Sequence, residues 1–188
     1  MRINHRLFLP LATALALALS GCASSGATGM LAADAPRSLP DAGPVSVAWA
    51  DPATFAEFRR GSNRWASSEG AWLQELALYL RKRAQEQLTA GDRLELTIVD
   101  LDRAGEYEPW HGIALHDTRI VRDIYPPRMT LQFRHFAAAG ALIAEGERKL
   151  SDPGFLINSG AFNNSDPLRY EKRMIDAWIR RDLDTAAR

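Results

Sequence analysis

The chain has 188 residues, in which 23 basic side chains balance 23 acidic ones, and it contains a single cysteine. This length suffices for one domain with a hydrophobic core. No basic run follows a phosphate backbone, so the composition argues against a nucleic-acid partner. One cysteine allows no disulfide within the chain, so stability must come from packing. Phosphate-binding glycine loops, hydrolase serine motifs and zinc-protease motifs are absent from the sequence, and no cofactor is expected.

The N-terminal segment has the three parts of an export signal. A short basic start precedes an apolar stretch from Leu7 to Leu19, and small residues then lead to Cys22. The stretch is shorter than the ~20 apolar residues that a transmembrane helix needs. The tetrapeptide Leu19-Ser20-Gly21-Cys22 resembles the lipobox of bacterial lipoproteins, in which the cysteine is acylated, with palmitate among the expected chains, and becomes the new N-terminus. The alternative is an ordinary cleaved signal followed by a chance cysteine.

The resemblance to lipoproteins implies a location and a domain organisation. Residues 1–21 are the expected signal peptide, Cys22 is the lipid attachment site, and the membrane is a partner through that anchor. Ala23 favours sorting to the outer membrane of the bacterial envelope, with the protein facing the periplasm. Residues 22–44 follow as a tether rich in Ala, Gly, Ser and Pro, which spans roughly 25 Å as a flexible coil. We expect residues 45–188 to form a single domain.

The first half of that domain predicts one strand and two helices. Val45 to Trp49 alternates in polarity, as a strand does. Asp51-Pro52 is a helix-start signal, because the aspartate can cap the helix and proline suits its first position. Leucines at helical spacing predict a longer helix over residues 73–88, with Ser68 as its cap and Gly91 as its stop.

The second half predicts three strands and a final helix. A strand over Leu94 to Leu101, with an irregularity from Val99, leads into a long loop over residues 103–118. Residues 129–133 and 142–150 alternate as the two strands of a hairpin with one dry and one wet face. An apolar band from Tyr170 to Ile179 predicts the last helix. The whole pattern predicts an α+β two-layer sandwich of about four mostly antiparallel strands, with two main helices on one face.

Three short segments carry a resemblance to a family. They are Val99-Asp100-Leu101-Asp102-Arg103-Ala104-Gly105, Tyr125-Pro126-Pro127-Arg128-Met129 and Lys149-Leu150-Ser151-Asp152. In this order, after a Val-x-Val-x-Trp-x-Asp-Pro start, they resemble the bacterial domain-of-unknown-function 3016 family over roughly residues 45–155. Arg103 stands where the usual motif has leucine. Because the family supplies no activity, the resemblance implies an exported bacterial protein of unassigned role.

The best candidate site combines Asp100 and Asp102, at a strand end, with His111 and His116 in the following loop, where Asp117 adds a carboxylate. Carboxylates and imidazoles together could bind a divalent metal or support acid–base chemistry. The two histidines are five residues apart, which matches neither a helical nor a strand pair. The alternative, which we favour, is that the aspartates accept hydrogen bonds from the backbone amides where the loop begins at Arg103-Ala104-Gly105.

Two further residues admit a functional and a structural interpretation. Arg128 could direct its guanidinium at a carboxylate or phosphate of a ligand. Alternatively it pairs with Glu145 or Glu147 across the hairpin, which is the interpretation we favour. His135 shares the buried face of its strand, and a lone imidazole makes no constellation, so we expect a partly buried histidine at a strand end.

Two classes of function follow. The first is a non-catalytic envelope lipoprotein, without catalytic residues, that docks an envelope protein or cell-wall partner through the wet sheet face or the 103–118 loop. The second is a metal-dependent or acid–base hydrolase centred on Asp100 and Asp102. The first is preferred, because no nucleophile–base pair and no metal-ligand spacing can be read.

Overall fold

The computed structural model describes residues 35–60, 71–157 and 165–183. The predicted signal peptide, the lipid attachment site and the first part of the tether lie outside these residues, as does Ser68, the predicted cap of the longer helix. The described residues form one four-stranded sheet, a separate two-stranded ladder and two main helices, so the predicted α+β class is confirmed.

The main sheet has the strand order β1-β2-β5-β6. Its strands are β1 (Val45–Trp49), β2 (Arg93–Asp102), β5 (Arg128–Phe136) and β6 (Leu142–Ser151). β1 and β2 are parallel, whereas β2–β5 and β5–β6 are antiparallel. Between β2 and β5 the chain forms a small antiparallel ladder of β3 (Glu106–Tyr107) and β4 (Arg119–Ile120). The sheet is therefore mostly antiparallel, as predicted.

Three α-helices complete the described fold, namely α1 (Ala56–Arg60), α2 (Trp72–Gln87) and α3 (Arg169–Asp182), and short 3-10 turns lie at Pro52–Thr54, Pro109–His111 and Ile113–Leu115. The crossover from β1 to the parallel β2 runs through α1 and α2, and α3 follows the β5–β6 hairpin. Tyr79 and Arg83 of α2 both bond to Asp176 of α3, at 2.9 and 2.7 Å. The two main helices thus contact one another above the sheet.

The hydrophobic core lies between the two main helices and one face of the sheet. Leu94, Leu96 and Ile98 point into it from β2, and the register shifts between Ile98 and Asp100. This bulge lets Leu101 return to the buried face although it lies at an odd spacing, so the irregularity predicted near Val99 is confirmed. The helices contribute the largest remaining set of buried side chains, which comprises Leu73, Leu76, Leu80, Met174, Ile175, Trp178 and Ile179.

The opposite face of the sheet is polar. Glu95, Arg134 and Glu145 lie side by side across three strands, and Arg134 contacts Glu95 at 3.1 Å and Glu145 at 3.7 Å. Together with Thr97, Gln132 and Glu147, this face forms a shallow groove of about 580 Å³. The predicted wet face of the hairpin is therefore present. The predicted dry face is buried on β5 at Met129 and Leu131, but on β6 Leu150 alone is buried, so the prediction is wrong for the rest of that strand.

A short N-terminal segment runs along β1. The Leu39 amide donates to the carbonyl of Val47 at 2.9 Å, and the Trp49 amide donates to the carbonyl of Arg37 at 2.8 Å. Leu39 is buried, so the described fold begins before Val45. Because this segment is antiparallel to β1, residue 35 lies at the end of the sheet where β2 also ends.

Candidate functional site

The three segments that carry the family resemblance meet in one cleft. The register of the sheet places Asp102, Arg128 and Ser151 in one row across β2, β5 and β6, and Asp100, Thr130 and Lys149 in the row next but one on the same face. α1 closes the cleft from the side. The cleft has a volume of about 210 Å³ and is lined by Ala56, Arg60, Asp100, Asp102, Arg128, Met129, Thr130, Lys149, Leu150 and Ser151.

Asp100 holds the start of α1. Its Oδ1 accepts the amide of Ala56 at 2.6 Å and the amide of Leu101 at 3.0 Å, while Oδ2 lies 3.5 Å from an Nη of Arg59. A carboxylate that accepts amides at a helix start satisfies donors which have no partner within the helix. Asp100 accepts backbone amides as predicted, but the donors differ: they are the amides of Ala56 in α1 and Leu101 in β2, and not those of the loop that begins at Arg103.

Asp102 lies between two guanidinium groups. Its Oδ2 is 3.4 Å from Nη1 of Arg128 and 3.9 Å from Nη1 of Arg60. Burial raises the pKa of Asp102, and the nearby charge of Glu57 raises it further, while Arg128 and Arg60 act against this rise and do not cancel it. The carboxylate is therefore protonated more easily than an ordinary aspartate.

The favoured structural interpretation of Arg128 named the wrong partners. Arg128 faces Asp102 on β2 and lies opposite Ser151 on β6, because it starts β5 at the end of the sheet. Glu147 lies four residue pairs away along the ladder and Glu145 six, where Glu145 forms an ion pair with Arg134 at 3.7 Å. Arg128 is thus an arginine of the cleft rather than of the hairpin.

The loop amides are held by two glutamates that sequence reasoning missed. Glu57 of α1 accepts the amide of Arg103 at 2.9 Å, and Glu171 of α3 accepts the amide of Ala104 at 2.7 Å. Both carboxylates are almost wholly buried. A signal existed for each, because Glu57 sits between the buried Phe55 and Phe58, and Glu171 precedes Met174 and Ile175 at helical spacing. An acid within an apolar stripe is rarely buried without a partner.

The two buried glutamates have opposite electrostatic environments. Burial acts to raise the pKa of Glu57, but the charges of Arg119 and Arg103 and the bonds from Arg103 outweigh it, so the pKa lies below its ordinary value. Arg103 Nη2 is 2.8 Å from Glu57 Oε1, and Arg119 contacts the same oxygen. For Glu171, burial dominates and raises the pKa, although the Ala104 amide and the two more distant arginines oppose it.

His111 and His116 each contact an acidic side chain of their own loop. His111 Nε2 is 2.8 Å from the buried carboxylate of Glu108, which also contacts Arg122 at 2.8 Å, and His116 lies 3.1 Å from Asp117. Within residues 35–60, 71–157 and 165–183 there is no group of three or more His, Cys, Asp or Glu side chains that could hold a metal ion.

His135 has the predicted environment. Its side chain is buried near the end of β5, and Nε2 lies 2.9 Å from Oδ2 of Asp92. The expectation of a partly buried histidine at a strand end is confirmed.

The fold and the cleft together define an α+β domain with a polar cleft at one end of its main four-stranded sheet. The chain belongs to the family described as protein of unknown function (DUF3016), whose model matches residues 43–181. The match confirms the resemblance carried by the three segments and extends it through most of α3. No curated protein and no solved structure matches the chain. In the part of the chain that the structure describes, no helix is long and apolar enough to cross a membrane.

Proposed function

We propose that this protein is an exported lipoprotein of the bacterial envelope, and that its domain is a non-catalytic binding module. The observation that carries the proposal is the convergence of three distant segments on one cleft. Asp100, Arg128 and Lys149 come from three different strands, yet their side chains line the same 210 Å³ space. A cleft built in this way by the segments typical of the family is the natural place for a partner to dock.

The cleft suits a polar partner that carries a carboxylate or a phosphate. Three cations, Arg60, Arg128 and Lys149, line it together with two aspartates. Asp100 is occupied by backbone amides, and Asp102 makes only single long contacts with each guanidinium. A guanidinium has five N–H donors, so such contacts leave most of them available to a second anionic group. An acidic segment of an envelope protein or a cell-wall peptide has this chemistry.

The lipoprotein part of the proposal rests on the export signal and the lipobox-like sequence that ends at Cys22. Expressed with its signal in a bacterium, the protein should partition into the detergent phase, and Cys22→Ala should abolish this partition. A mature protein that stays in the aqueous phase with an unmodified Cys22 would contradict the proposal.

One observation favours a second candidate, an acid–base hydrolase centred on Asp100 and Asp102. The raised pKa of Asp102 is what a general acid requires, and it occurs in a cleft. Asp100, however, is engaged in holding α1, so it is not available as the base that would complement Asp102. A hydrolytic activity of the purified domain that is lost in Asp102→Asn, with the fold intact, would favour the hydrolase.

The binding module can be tested by site-specific photocrosslinking in cells. A photoreactive residue at Lys149, which is 81% exposed at the cleft, should capture a defined partner. The same residue at Leu142, exposed at the other end of β6, is the matched control. The adduct at position 149 should disappear in the charge reversal Arg128→Glu, whereas equal adducts at both positions or an unaffected adduct would refute docking in the cleft.

A further inference from the structure

Exposed apolar side chains concentrate in one segment, residues 109–124, which we call the apolar loop. Ile113 is 97% exposed, Trp110 67% and Ile124 64%, and Leu115 and Val121 are also exposed. Isolated apolar residues on a surface are normal, but a concentration of them marks an interaction site. The remaining exposed large hydrophobic residues of the described chain are dispersed over α2, β6 and residue 157.

The apolar loop is held on the domain by contacts with two buried glutamates, Glu57 and Glu108, and not by its apolar side chains. The buried Glu108 contacts His111 and Arg122, each at 2.8 Å, and accepts the Tyr125 hydroxyl at 3.0 Å. Arg119 reaches the buried Glu57, and β3 pairs with β4. These contacts fix the backbone on the domain while the apolar side chains remain in solvent.

The apolar loop leaves the sheet at the end where the N-terminal chain arrives. β2 runs into it after Asp102, and β1 is parallel to β2. Residues 37–39 run antiparallel to β1, so Ala35 lies at the same end of the sheet. Cys22 lies 13 positions before Ala35, and the covalent length of such a stretch limits their separation to at most ~45 Å. An anchor at Cys22 would therefore keep this end of the domain close to the lipid.

The composition of the apolar loop matches the lipid–water interface. Tryptophan is enriched at that interface, and bulky aliphatic side chains bury themselves at the boundary with the acyl chains. The loop contains two arginines, Arg119 and Arg122, and two aspartates, Asp117 and Asp123, so residues 109–124 carry no net charge with histidine neutral. Arg119 and Arg122 already face the buried Glu57 and Glu108. Binding of the loop to a membrane would therefore depend on its apolar side chains and not on attraction to anionic lipids, in contrast to a polybasic membrane-binding segment.

We infer that the apolar loop is a second membrane contact, which inserts Trp110, Ile113 and Ile124 into the interface of the same membrane that holds the acyl anchor. The inference rests on the lipid anchor of the proposed function. An acyl anchor at Cys22 by itself fixes one point of the chain, whereas a second contact also holds the loop end of the domain against the lipid. The polar cleft lies at the same end of the sheet, so its partner would be met near the membrane surface.

The test uses the mature lipidated chain in vesicles of phosphatidylethanolamine and phosphatidylcholine. Acylation leaves no free thiol at Cys22, so Ile113→Cys provides a single site for a polarity-sensitive fluorophore. Ile143→Cys on β6, where the side chain is 53% exposed, is the matched control. We expect a blue-shifted emission that is quenched by lipids brominated in their acyl chains at position 113, and neither effect at position 143.

Two results would overturn the inference. One is an emission at position 113 that equals the emission at position 143. The other is a blue shift without quenching by brominated lipid that vanishes when the protein is diluted on the vesicles, because that behaviour indicates contact with a second copy.

Thiol labelling tests the acylation of Cys22 independently of the loop. An unsubstituted chain that takes up the thiol label at Cys22 would refute acylation. The probe at Ile113→Cys in a Cys22→Ser chain would then decide the loop on its own, since quenching by brominated lipid supports insertion and its absence refutes it. Replacing Trp110 with serine in that chain should weaken vesicle binding about tenfold, the effect of losing one buried aromatic anchor.

Discussion

Glu57→Ala should be the most destabilising single substitution at the base of the loop. Glu57 is buried with a side chain only 1% exposed, and Arg103 and Arg119, at 15% and 18%, both contact it. Removing one partner of a buried ion pair costs about 3–5 kcal/mol, because it leaves uncompensated charge behind. The amide of Arg103 also loses its acceptor, at about 1–3 kcal/mol. Solvent partly reaches the two guanidinium groups and screens them, so we expect a total of about 3–5 kcal/mol.

The measurement is the free energy of unfolding from urea denaturation. Glu57→Gln preserves an acceptor for the Arg103 amide and removes only the charge, so it should lose less than Glu57→Ala. Glu75→Ala on the exposed side of α2 is the control and should change the free energy by about 0.5 kcal/mol or less. A loss in Glu57→Ala no greater than that of the control would refute the argument.

The pH dependence of the same variants supplies a second check. Because the pKa of Glu57 is lowered in the folded state, its ionised form stabilises the protein above the ordinary glutamate pKa. That contribution is lost as the pH falls through the folded pKa. The difference between the wild type and Glu57→Gln should therefore be largest near neutral pH and shrink in acid.

Three further predictions concern the remaining buried groups. Asp100→Ala should lower the free energy of unfolding in urea by about 1–3 kcal/mol, because two amides lose their acceptor. An unchanged free energy of unfolding would show that the carboxylate is not structural. The pKa of Glu171 is raised in the folded state, so ionisation of this side chain destabilises the fold as the pH rises through the folded pKa. Glu171→Gln should therefore be more stable than the wild type at neutral pH. The difference in the free energy of unfolding should vanish below the ordinary glutamate pKa. Leu76→Ala and Leu131→Ala should each cost about 2–5 kcal/mol, and melting shifts no larger than that of Arg81→Ala would contradict the assigned core.

The secondary structure followed from the sequence because its signals are local. Alternation in β2 and β5 and helical spacing in α2 and α3 each depend on residues within one element. The bulge near Val99 was also visible, since the alternation of Leu94, Leu96 and Ile98 breaks at that point. The family resemblance followed from three short segments and their order along the chain, although the sequence does not indicate how close these segments lie in space.

The partners of charged residues were decided only by the tertiary structure. Arg128 could pair within its hairpin or with β2, and the choice depends on the register that brings Asp102 beside it. The amides of Arg103 and Ala104 donate to Glu57 in α1 and Glu171 in α3, which are far from the loop in sequence. Burial sets the charge balance of such groups, and burial depends on how distant elements pack. The sequence by itself determined which elements form and which faces are apolar, whereas the long-range packing decided which carboxylates became structural and where the cleft lies.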